Sequence, residues 1–64
     1  MKNSQKLKLI NQDNIKVVDE LREIMTKYKA LGIDIRVLLK VWGDMKDQIV
    51  EIDAVIEELE NNNL

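Results

Sequence analysis

This 64-residue chain contains no cysteine, no histidine, no proline and no phenylalanine, and it has only two glycines. Each absence closes a route. Without cysteine there is no disulfide framework and no thiolate metal site. Without histidine the commonest acid–base catalyst and metal ligand is missing. Without proline nothing forces a helix to break, and only Gly32 and Gly43 weaken helical propensity. No apolar run approaches the roughly 20 residues of a membrane span. The opening residues MKNS lead into no uninterrupted apolar stretch, so no signal peptide and no membrane partner is expected. The lack of cysteine fits a reducing compartment, and the expected location is cytoplasmic.

What is present reads as helix. The chain is 45 % hydrophobic and 34 % charged, rich in Ile, Leu, Lys, Glu and Asp. Ten basic and twelve acidic residues give a net charge of −2, which argues against nucleic acid as the main partner. The signs are unevenly placed. Lys2, Lys6, Lys8 and Lys16 face Asp13 alone in the first quarter. Asp44, Asp47, Glu51, Asp53, Glu57, Glu58 and Glu60 face Lys46 alone near the end. Such a chain favours antiparallel contact, within or between copies. A core this small seldom stabilises itself alone, and with disulfides and metals gone the remaining devices are oligomerisation or docking on a partner.

A heptad register starting at Leu7 organises the apolar residues. The a positions are Leu7, Asn14, Leu21, Tyr28, Ile35, Trp42, Ile49, Ile56 and Asn63. The d positions are Ile10, Val17, Ile24, Leu31, Leu38, Met45, Ile52 and Leu59, all apolar. The register runs through Gly32 without a shift, as one continuous rod would. Three features favour a turn instead. No g–e′ pair of a parallel two-stranded coil carries opposite charges. The stripe is too wide for two strands, with Val18, Met25 and Leu39 at e and Val41 and Val55 at g, a width that suits a bundle. Finally, Gly32 suits the left-handed position after a helix, Ile33 the apolar position that follows, and Asp34 a cap for a helix starting at Ile35.

The expected fold is therefore all-α: an antiparallel helical hairpin that dimerises into a four-helix bundle, a shape shared by small plasmid-encoded regulators of similar length. The expected elements are a frayed or strand-like head over 1–11, helix 1 over 12–31, a turn over 32–34, helix 2 over 35–60, and a frayed tail over 61–64. Helix 2 would be roughly 39 Å long. The expected dimer core is Leu21, Ile24, Tyr28, Leu31, Ile35, Leu38, Trp42, Met45, Ile49, Ile52, Ile56 and Leu59. Asn14 is either a register-setting polar contact or a residue beyond the bundle's end, and the second reading is preferred.

Chemistry is scarce. Asp44, Asp47 and Glu51, with Glu58, recur on an outer face and could hold a cation or imitate an acidic polymer, but a solvated face is the simpler reading. An inward-facing di-metal site needs Glu-x-x-His, which is absent. Tyr28 and Trp42 read as core aromatics. No catalytic, metal or cofactor residue is expected, and the chain is read as no enzyme. A candidate partner patch consists of Val37, Leu39, Gly43 and Val50, which lie outside the a/d seam. Gly43 would admit a close backbone approach or mark a break at residues 42–44, with Asp44 re-capping the helix; the break is preferred.

Two functions follow. The first is a non-enzymatic regulator, a homodimer that binds another protein; the Lys/Asn/Ile usage fits a bacterial, phage or plasmid accessory factor. The alternative rests on Lys6-Leu7-Lys8-Leu9-Ile10, which alternates like a strand, followed by Gly32-Ile33-Asp34-Ile35-Arg36. This resembles the Gly-x-Ser-x-Ser turn of ribbon-helix-helix repressors, with Asp34 and Arg36 at the two Ser positions. That resemblance implies a strand in the DNA major groove with Lys6 and Lys8 facing the DNA. The chain departs from the pattern in strand-to-turn distance, in the length of its second helix and in its acidity.

Overall fold

A computed structural model describes residues 2–62, which form two helices, α1 (Asn3–Ala30) and α2 (Arg36–Asn61). They pack against each other as an antiparallel hairpin, and no strand occurs among the described residues. The molecule measures 52 × 17 × 10 Å across its Cα atoms, so it is a plate one helix thick.

The turn follows the chemistry of its residues. Leu31 closes α1, and Gly32 takes φ +80°, the left-handed region where glycine has no Cβ to clash. The Gly32 N–H donates to the Lys29 carbonyl at 3.0 Å and the Ile33 N–H to the Tyr28 carbonyl at 3.0 Å. These two bonds form a Schellman motif, which satisfies carbonyls that the helix end would otherwise leave open. Lys27 and Lys29 place positive charge in the same last turn, where the helix dipole favours it.

The second helix begins one residue later than expected. Ile35 occupies the cap position and Arg36 is the first helical residue. Asp34 still serves the helix start: its Oδ1 accepts the Arg36 backbone N–H at 3.0 Å. Its carboxylate also takes Arg36 Nε at 3.0 Å and Nη2 at 2.7 Å. The Arg36 side chain, and after it the Arg36 backbone N–H, hold the Asp34 carboxyl below its ordinary value. A lowered folded-state value means that this support is in place above the ordinary carboxylate range. It is lost as pH falls through the lowered value. Both groups are exposed, so the effect on stability is small.

Four expectations are corrected. Residues 3–11 are neither frayed nor a strand: α1 starts at Asn3 instead of residue 12. Lys6 to Ile10 alternate, but Leu7 and Ile10 are also spaced three apart, and the helical period prevails. The helix start is held by Gln5, whose Oε1 accepts the Lys2 N–H at 3.2 Å. Asn14 consequently lies well inside the hairpin and is half-buried, not beyond its end. Nor does α2 break at residues 42–44; it runs unbroken through Gly43, and Asp44 caps nothing. The expected tail begins within α2, which ends at Asn61, and its last two residues lie outside the described range.

The two glycines make opposite predictions. A Cβ added at either position meets nothing within 4 Å, so only backbone conformation decides. Gly32→Ala forces alanine into a left-handed conformation and is expected to cost about 1–2 kcal/mol. Gly43→Ala replaces a mid-helix glycine and is expected to stabilise by about 1 kcal/mol. Thermal melts of the two variants should therefore move in opposite directions. A fall in both would mean that something packs closely over Gly43.

Candidate interaction surface

The helices meet through an uneven seam. From α2 come the expected a and d residues: Ile56 is buried, and Ile35, Leu38, Trp42, Met45, Ile49, Ile52 and Leu59 are half-buried. From α1 the seam is rotated. Its buried residues are Ser4, Asn11, Val18 and Met25, seven apart in the e row, flanked by half-buried Leu7, Asn14 and Leu21 of the a row. The d row of α1 turns away: Ile10, Val17, Ile24 and Leu31 are all exposed, Ile24 by 44 % and Leu31 by 67 %. Tyr28 is also exposed within the single hairpin.

Asn11 is the polar centre of the seam. It is 3 % exposed, and its Nδ2 donates to Asp53 Oδ1 at 2.7 Å and to the Ile49 carbonyl at 3.1 Å. Its own Oδ1 lies 3.5 Å from Asn14 Nδ2. Sequence reasoning missed this residue. The signal was the seven-residue spacing of Ser4, Asn11, Val18 and Met25, which two small polar residues disguised as surface.

The plate has two unlike faces. On one, the b row of α1 meets the e row of α2. There Lys8 pairs with Glu60, and a shallow cleft of about 210 Å³ is lined by Arg22, Met25, Thr26, Lys29, Ile35, Leu39 and Trp42. Lys46 Nζ lies 4.4 Å from the centre of the Trp42 ring, whose buried Nε1 has no acceptor. Because the helices are antiparallel, the remaining flanks, the d row of α1 and the g row of α2, share the opposite face. That face carries Ile10, Val17, Ile24 and Leu31 from α1 and Val41, Gln48 and Val55 from α2. The reversal at Ile33 sets Ile10 level with Val55, Val17 with Gln48, and Ile24 with Val41.

The residues of the expected partner patch all lie outside the α2 seam. Val37 (76 % exposed) lies on the d/g side of α2, whereas Leu39, Gly43 and Val50 (67 % exposed) lie toward the cleft side. Gly43 receives no close approach within the chain. Asp44, Asp47, Glu51 and Glu58 are exposed along the outer side of α2. Among the described residues no helix is long and apolar enough to cross a membrane.

Comparison with known protein families, with curated proteins and with solved structures returns no match.

Proposed function

We infer that this chain is a non-enzymatic interaction module that works as a homodimer, two hairpins joined back to back in a four-helix bundle that in turn engages another protein. The observation that carries this reading is the uncovered d/g face. A compact monomer of 7.5 kDa is expected to expose roughly 4,200 Å². This hairpin exposes 5297 Å². The surplus, roughly 1,000 Å², is what one partner gives up in a standard interface, about 800 Å². A second copy supplies the second layer that a one-layer plate lacks. The ribbon-helix-helix alternative loses its footing, because Lys6 to Ile10 belong to α1.

Sedimentation equilibrium at micromolar concentration is expected to give twice the chain mass. Ile24→Lys, at an exposed site that does not touch the seam, should shift the mass toward the monomer. A folded parent chain that sediments as a monomer would refute the reading.

A further inference from the structure

Resting on that homodimer, we propose that its two-fold axis crosses the d/g face at Val17 and Gln48, perpendicular to the helices, so that the two turns lie at opposite ends of the bundle. Two arrangements can stack one plate on its copy through this face. With the axis perpendicular to the helices, α1 lies on its own copy and α2 on its own copy. With the axis parallel to them, α1 lies on the copy of α2, and both turns share one end.

Over its three central levels the pattern on the face is symmetric; Leu31, the fourth α1 residue, lies outside them and would meet the copy of Asn3. Ile10 and Ile24 flank Val17 at equal distance, and Val41 and Val55 flank Gln48. The perpendicular axis exploits this symmetry. Ile10 meets the copy of Ile24, Val41 meets the copy of Val55, and Val17 meets itself, as an isologous interface requires. Gln48, the polar residue between Val41 and Val55 on this face, then meets Gln48. An amide both donates and accepts, so two of them satisfy each other across a two-fold. The parallel axis instead lays each Gln48 over a copy of Val17 and strands two amides in an apolar layer.

The charged rim does not reverse this choice. Lys6, Asp13, Glu20 and Lys27 edge the face on α1, and Asp44, Glu51 and Glu58 edge it on α2. Acid faces acid in either arrangement. The perpendicular axis also sets Lys6 against the copy of Lys27, two exposed like charges, whereas the parallel one sets Lys6 against Glu58. One exposed ion pair per chain is worth less than one stranded amide.

The cysteine-free chain makes the test direct. Val17→Cys, Ile10→Cys and Ile24→Cys are made singly and equilibrated in a glutathione buffer, and covalent dimer is read on a non-reducing gel. A thiol introduced at position 17 sits on the axis and pairs with its own copy. A thiol introduced at position 10 or 24 lies seven residues from the axis, so its own copy is roughly 21 Å away, beyond the reach of a disulfide. Covalent dimer is therefore expected on the order of tenfold or more in favour of Val17→Cys. Gln48→Cys, the second axis position, should behave alike and serves if the Val17 variant does not fold. Equal cross-linking at all three α1 positions, or none at any of them, with the parent still a dimer, would overturn the perpendicular axis and leave the homodimer standing. A monomeric parent with no cross-link at any position would overturn both.

Discussion

Met25→Ala is expected to lower stability by about 2–4 kcal/mol, the range for deleting a buried methionine side chain. Met25 is 4 % exposed and belongs to the α1 row that faces α2. It closes the cleft floor with Ile35, Leu39 and Trp42. A core of this size supplies no more than about 3–5 kcal/mol, so the variant should keep only a small part of the parent's stability. A urea titration followed by helical circular dichroism measures this. The control is Val50→Ala, an equally apolar truncation on open surface, expected within about 0.5 kcal/mol of the parent. The neighbouring Ile24→Ala separates the two layers of the argument. Its cost should grow with protein concentration, because Ile24 contributes only once a second copy covers it. Equal losses for Met25 and Val50 would mean that the α1 seam is not the e row.

Asn11→Asp should be the next most damaging change. It retains size and polarity but exchanges the amide donor for a second carboxylate within hydrogen-bond distance of Asp53. Asn11 is 3 % exposed while Asp53 is exposed, so the introduced carboxylate alone is taken out of water, and it sits beside a like charge. The expected loss at neutral pH is about 3 kcal/mol, against about 1–2 kcal/mol for Asn11→Ala, which removes the bonds without adding charge. The sign of the pH dependence follows. The variant is destabilised where the introduced carboxylate is ionised, so its melting temperature should recover on acidification that neutralises it. The alanine variant should show no such recovery. Identical pH profiles for the two would place Asp53 away from residue 11.

How far the sequence anticipated this fold depended on how many meanings each residue type could carry. The Gly32–Ile33 turn was legible because left-handed backbone after a helix leaves few residues eligible. The α2 seam was legible because its a and d rows are apolar without a gap. The start of α1 was not, because Leu7, Leu9 and Ile10 satisfy a strand period and a helical period at once. The seam of α1 was hidden for a related reason. That helix carries apolar residues in its a, d and e rows, enough for two neighbours, and periodicity does not say which neighbour is its own chain. Ser4 and Asn11 deepened the ambiguity, since small polar residues in a row ordinarily mark it as solvent-facing. The burial of the whole row and the pairing of Asn11 with Asp53 show that it turns inward.

Among the described residues, Val18, Met25 and Ile56 are the only apolar residues that a single hairpin buries, and each keeps some contact with water. For the proposed dimer this thinness makes dilution a denaturant. Mass action couples the folded fraction to protomer concentration, so the melting temperature should climb with each tenfold increase in protein. A chain expressed sparingly would spend more of its time open to proteases, and one expressed abundantly would protect itself. Abundance and lifetime would then rise together, and a modest change in synthesis would be amplified into a larger change in the amount of folded protein.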